Sequence, residues 1–194
     1  MTKNNVPFDW GNMIARLEAT KGLDETAPPK SFHEFLNSAQ TLYSNKDIDY
    51  DSRYLRALIS LDARTIWTWE VEKKLDRLRT WIKRGELQVK GEGIRNSVDD
   101  LFVYTVQYFG YVQQVINFQL SGESFLAAVQ NSRPIFFRAF ATRLKPVEWV
   151  EFLELKGLIK PEEFLLKNIL RLYMGDKPDI KDWKDAIRKI LDKK

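Results

Sequence analysis

Apolar residues recur along this chain at intervals of three and four, and the polar residues between the runs mark where one helix stops and the next begins. The longest apolar stretch lies within residues 92–118, EGIRNSVDDLFVYTVQYFGYVQQVINF, and past its first turns is interrupted by Gln107, Gln113 and Gln114. Leu101, Phe102, Val106, Phe109, Val112 and Ile116 would bury much of the surface of one long helix there. The pattern predicts that this helix is the centre of the fold and that it ends near Ser121 and Gly122. Its entrance is polar, with Glu92, Asn96, Ser97, Asp99 and Asp100.

The same periodicity divides the rest of the chain. Trp10, Met13, Ile14 and Leu17 predict an amphipathic piece over residues 9–20, closed by Gly22 and the break ETAPPK. Ser31 followed by Glu34 is a capping box for a helix whose face is Phe32, Phe35, Leu36, Ala39, Leu42 and Tyr43. That helix is expected to stop near Ser44 and Asn45, leaving KDIDYDSRY as a charged turn before a short helix with Tyr54, Leu55, Leu58 and Ile59. Asp62 caps a long helix to about Arg84, with Ala63, Ile66, Trp67, Val71, Leu75, Leu78 and Trp81 at helical spacing. Gly85 ends it and a glycine-punctuated linker follows. Further helices are predicted over 123–131, 134–144, 146–156, 161–174 and 179–192. Pro134, Pro146 and Pro161 sit at helix starts, where a missing N–H costs nothing. No strand-like alternation occurs. The expected fold is all-α, a helical bundle core with additional C-terminal helices. It divides into an N-terminal arm (1–30), a core (31–121) and a C-terminal helical extension (122–194).

Composition narrows the chemistry more than the fold. A chain of 194 residues with 44% apolar content can bury a sizeable core. It has no cysteine and a single histidine, His33, which removes disulfide frameworks, thiolate sites and histidine-cluster zinc sites. A metal would be held by carboxylates, which favours magnesium or manganese. Net charge is +4 with the signs interspersed; this permits phosphate contact without demanding nucleic acid. No apolar run approaches membrane-spanning length, so a cytoplasmic protein without a membrane partner is expected.

Three polar pieces are candidates for chemistry. On the central helix Ser97, Asp100 and Tyr104 share a face, with Glu92 and Asn96 leading into it. Asp100 is either a metal ligand or, with Asp99, a first-turn acid favoured by the helix dipole. On the preceding helix Glu70 and Lys74 are four apart; they form either a solvated ion-paired face or a site in which Glu70 meets a metal while Lys74 and Arg77 meet phosphate. Lys46, Asp49 and Tyr50 form either a plain turn or a cluster in which Asp49 is a ligand and Tyr50 stacks on a base.

Taken together, K-x-x-D-Y at Lys46, Asp49 and Tyr50, K-x-x-R-L at Lys74, Arg77 and Leu78, and the helix with Glu92, Asn96, Ser97, Asp100, Leu101 and Tyr104 resemble the nucleotide-modification-associated domain family of phages. That family is similar to the all-α NTP pyrophosphohydrolases, the MazG and dUTPase-like group. The resemblance covers about residues 32–116. It departs from the pattern at Asp51, where glycine is usual, at Asn96, and in the E-E-x-x-E helix, where lysines follow Glu70 and Glu72. Its E-x-x-D becomes Ser97-x-x-Asp100.

The resemblance implies a magnesium-dependent nucleoside triphosphate pyrophosphohydrolase or a nucleotide-binding relative, working in a host cytoplasm. Glu70, Glu92 and Asp100, with Asp49, would hold magnesium or manganese. Lys46, Tyr50, Lys74, Arg77 and Tyr104 would hold the nucleotide. A metal-activated water would release pyrophosphate. It also implies an oligomer, most simply a dimer. The competing expectation is a non-enzymatic helical interaction protein that binds a host protein or nucleic acid. It rests on the thinned acidic set, the extra aromatic-rich C-terminal third, and the basic tail of Lys181, Lys184, Arg188, Lys189, Lys193 and Lys194, a surface that Arg133, Arg138, Arg143 and Lys145 could extend.

Overall fold

The computed structural model describes residues 28–84 and 93–176. The predicted helices over 9–20 and 179–192, the linker, and Glu92 lie outside the described residues. Within them the chain forms eight α-helices and no strand: α1 (Phe32–Asp49), α2 (Arg53–Ser60), α3 (Ala63–Arg84), α4 (Ile94–Tyr111), α5 (Gly122–Asn131), α6 (Arg133–Ala141), α7 (Pro146–Leu155) and α8 (Phe164–Tyr173). The expected all-α class is what is found. Among the described residues no helix is long and apolar enough to cross a membrane.

Caps act largely as the sequence suggests. Ser31 Oγ accepts the Glu34 N–H at 3.2 Å, but the Glu34 carboxylate reaches back one residue further, to the N–H of Lys30 at 3.0 Å. Asp62 accepts the Thr65 N–H at 2.7 Å. Among the boundaries that differ from expectation, the helix placed over 161–174 begins only at Phe164, after Pro161, and the one over 134–144 ends at Ala141; two further differences shape the centre of the fold. First, α1 does not stop at Ser44 and Asn45 but continues through Asp49, so most of the anticipated charged turn is helix. Burial drives this: Tyr43 and Asp47 are both inside, and Asp47 accepts from Arg133 Nε at 2.6 Å and Ser52 Oγ at 2.7 Å. The actual turn is compressed into Tyr50–Ser52, with Asp51 and Ser52 at positive φ. Second, α4 does not run as α-helix to Ser121; it continues as a π-helical segment, Val112–Asn117.

α4 is the axis of the fold. Ile94, Val98, Leu101, Phe102, Val103, Val106, Tyr108 and Tyr111 are buried on it, pointing in every direction around the helix. Phe102 meets the rings of Phe35 on α1, Phe137 on α6 and Trp149 on α7, with centroids 4.9, 6.1 and 5.4 Å away. Phe125, Phe136, Phe137, Phe140, Trp149 and Tyr173 of the C-terminal third therefore share one core with the aromatic residues of α1 and α4. Close approach is possible because Gly110 has no side chain: a Cβ there would lie 2.6 Å from the Phe136 ring.

α3 lies antiparallel against α4. Trp67 stacks on Tyr108 at 4.2 Å and its indole N–H donates to Thr105 Oγ1 at 3.3 Å, while seven residues further along α3 Lys74 pairs with Asp100 at 2.8 Å. Arg79 anchors the far end of α3, donating to Glu163 at 2.7 Å and to the Leu158 carbonyl at 2.8 Å.

Phe102 is the junction of this packing. Phe102→Ala is expected to destabilise the fold by about 3–5 kcal/mol, as for other fully buried aromatic truncations; urea unfolding would measure it, and a loss below about 1 kcal/mol would contradict the central place given to this ring.

Candidate functional site

A cavity of about 640 Å³ opens where α1, α2, α3 and α4 meet, within the size range of small-molecule sites. Lys46, Asp47 and Tyr50 reach it from the end of α1, Arg53, Tyr54 and Ala57 from α2, Ile66, Glu70 and Lys74 from α3, and Asp100, Val103, Tyr104 and Gln107 from α4. Spacing explains the convergence. Ile66, Glu70 and Lys74 are each four apart and form one stripe of α3; Asp100, Tyr104 and Gln107 form the facing stripe of α4. The antiparallel register sets Lys74 against Asp100, Glu70 near Tyr104, and Ile66 near Gln107.

Asp100 is the electrostatic centre. Lys46 Nζ donates to its Oδ1 at 2.5 Å and Lys74 Nζ to its Oδ2 at 2.8 Å. Its side chain is only 14% exposed. Two ammonium groups from different helices thus meet on a single carboxylate. Arg53 adds a third cation to the wall, with no ion pair among the described residues. Glu70 Oε2 is taken by Lys73 Nζ at 2.7 Å, and Asp47 by Arg133. The lining itself carries three cations, Lys46, Arg53 and Lys74, and three carboxylates, Asp47, Glu70 and Asp100; with Asp47 and Glu70 paired to Arg133 and Lys73 from outside it, the lining cations are left with Asp100 alone.

The middle of the wall is aromatic. Tyr54 and Tyr104 pack with centroids 4.7 Å apart, and the Tyr54 hydroxyl donates to the Tyr104 carbonyl at 3.3 Å. Burial, then the nearby Glu70 and Asp100 charges, push the Tyr104 hydroxyl up to about 12. Burial and the neighbouring Tyr104 raise Tyr54 well above the usual phenol range. Both are neutral at physiological pH.

Six of the residues singled out from the sequence line this one cavity: Lys46, Tyr50, Glu70, Lys74, Asp100 and Tyr104. Asp49 is exposed outside it, Arg77 lies one turn of α3 beyond the lining residues, and Glu92 is outside the described residues. Neither acid on α4 is in the first turn: the helix begins at Ile94, so Asp99 and Asp100 fall in its second turn. Sequence reasoning missed Arg53 and Gln107. Gln107 was visible only as a polar interruption of an apolar run, although its place seven residues after Asp100 was the signal that it shares the Asp100 face.

The residues present do not assemble a carboxylate cage. Among the described residues no group of three or more His, Cys, Asp or Glu side chains is placed to hold a metal ion. Both Asp100 oxygens already carry lysines, and Glu70 carries a third. What the arrangement offers directly is cationic donors for an anion. Of the basic residues anticipated as a surface, Arg133 serves Asp47 and Arg138 donates to Asn37 Oδ1 at 2.8 Å, while Arg143 and Lys145 are exposed.

No family model, curated protein or solved structure matches the chain. The likeness to the nucleotide-modification-associated family thus rests on the quoted motifs alone.

Asp99 behaves differently from its neighbour. It is 5% exposed, its Oδ1 has no partner, and its nearest cation is Arg95 Nε at 3.7 Å. Burial, only partly offset by Arg95, pushes its pKa up to about 6. The folded state then holds a proton between about pH 3.8 and 6 that the unfolded chain releases, so this group lowers stability as pH rises through that window. The penalty is absent below it and complete above it, about 3 kcal/mol at neutral pH. Asp99→Asn is expected to flatten the difference in urea stability between pH 4 and 7; an unchanged pH profile would contradict this assignment.

Proposed function

We propose that the chain binds a nucleoside phosphate in this pocket. The observation that carries the reading is the convergence of Lys46 and Lys74 on Asp100 beside the Tyr54–Tyr104 pair. A phosphate offers several anionic oxygens and can take the ammonium groups that Asp100 shares, through charge-assisted hydrogen bonds. Arg53 supplies a further donor at the same wall. The Tyr rings, Ala57, Leu61 and Ile66 give the nucleoside part an apolar bed. Concave shape, apolar lining and a few convergent polar groups are the ordinary features of a small-molecule site.

In this reading Asp100 holds the lysines in place when the pocket is empty of ligand and yields them to phosphate when it is occupied. Asp100 is thus a positioning residue, and no hydrolytic step is assigned to it. Nucleoside triphosphates are expected to bind in the presence of a chelator, measured by isothermal titration calorimetry, with affinity falling as salt rises. Lys46→Met and Lys74→Met should each weaken binding about tenfold or more. Asp100→Asn should retain binding, because it removes a competitor for the lysines. The opposite result, binding that requires magnesium or manganese and is abolished by Asp100→Asn, would replace this reading with that of a metal-dependent pyrophosphohydrolase, and pyrophosphate release from a panel of NTPs and dNTPs would then measure it.

A further inference from the structure

Two residues of the pocket lining each carry a buried side-chain oxygen without a hydrogen-bond partner: Gln107, at Oε1, and Tyr43, at its hydroxyl. Such atoms are uncommon in folded proteins, because a buried polar group left unpaired loses its hydration without replacement. Gln107 is 4% exposed and Tyr43 is 1% exposed. The Gln107 amide nitrogen is held by the Val103 carbonyl at 3.4 Å, which assigns the amide orientation and leaves the oxygen as the open acceptor. Burial raises the Tyr43 hydroxyl far above the usual phenol range, so it keeps its proton and remains a donor.

Their position matters as much as their lack of partners. Gln107 is seven residues from Asp100 on α4, about 10 Å along the helix axis. It therefore sits at the end of the cavity away from the Asp100 lysine clamp, on the stripe shared with Ile66, Leu61 and Val103. The pocket has a cationic end, an aromatic middle and an apolar end that contains an unused acceptor. A nucleotide has the same sequence of chemistries: phosphate, sugar, and a flat base with N–H and carbonyl or ring-nitrogen groups on its edge.

We propose that Gln107 is the base-recognising residue of the pocket, its Oε1 accepting an N–H from the edge of the nucleobase while the Tyr43 hydroxyl donates to an acceptor on the ligand. This rests on the nucleoside phosphate reading above and adds what selects among such ligands. Discrimination follows from the open acceptor: a base edge that places an N–H there satisfies a buried oxygen, and one that does not leaves it unpaired.

The test uses the full chain, inorganic tripolyphosphate as a probe of the cationic end alone, and the common nucleoside triphosphates, by calorimetry. Gln107→Met is expected to leave tripolyphosphate binding unchanged, to weaken the tightest nucleotide about tenfold, and to narrow the spread among bases. Its thermal melting should be unaffected or improved, because it removes an unsatisfied buried oxygen. On the unmodified protein, an analogue of the tightest nucleotide with its base N–H methylated should bind about tenfold more weakly, which decides the matter even if the Met variant fails to fold. Nucleotides that bind with no preference among bases, or a preference unmoved by both the variant and the methylated analogue, would overturn the role of Gln107 and leave the nucleoside phosphate reading standing. Failure of both tripolyphosphate and nucleotides to bind would remove that reading, and this one with it.

Discussion

α4 is enclosed by other helices over most of its surface, and that constraint governs the polar groups it carries. A polar side chain on an enclosed helix cannot turn to solvent; it must be paired by a neighbour, change its protonation, or wait for a ligand. α4 shows each outcome within three turns. Thr105 is satisfied by its own helix, donating to the Leu101 carbonyl at 2.7 Å while accepting from Trp67. Asp100 draws lysines from two helices. Asp99, lacking an adequate cation, is driven toward its neutral form. Gln107 retains an open acceptor. The pocket exists where the enclosure is incomplete, along the stripe of α4 that faces the α1–α2 corner.

The same constraint explains why the charge pattern there favours an anion. A carboxylate beside apolar residues needs cations, and the helices around Asp100 provide more positive charge than it neutralises. In a medium less polar than water the excess is felt strongly by a phosphate entering the cavity. Pairing within the site has a second effect: the lysine stems are held against the wall, so less side-chain freedom remains to be lost when a ligand displaces the carboxylate.

Much of the architecture was legible because helix periodicity and caps are local. Ser31, Asp62 and the glycine and proline breaks placed α3, α7 and the starts of α1 and α6 closely. Other features depend on partners distant in the chain. The extension of α1 through Lys46 and Asp47 relies on Arg133, eighty-six residues away, so the charged segment read locally as a turn. It matters for the site, since a helical Lys46 is what reaches Asp100. Lys74, Asp100 and Tyr104 could be picked out because they share faces at helical spacing. Gln107 shares the Asp100 face by the same spacing, but the sequence carries no sign that its oxygen lacks a partner. The π-helical segment after Tyr111 had no distinct signal in the apolar pattern, in which Val112 and Ile116 keep helical spacing on either side of Gln113 and Gln114.

The bond between Arg133 and Asp47 makes the N-terminal half dependent on residues that look separable from it. Asp47 is buried at the corner that steers Arg53 and Tyr54 toward the cavity, and its countercharge comes from α6. A chain shortened to end before α5 would keep every lysine, tyrosine and carboxylate of the pocket yet strand a buried anion at its hinge, a loss on the order of 3–5 kcal/mol. The smallest fragment that preserves the cavity therefore has to extend past Arg133, and the C-terminal helices function as the keystone of the pocket rather than as an appendage beside it.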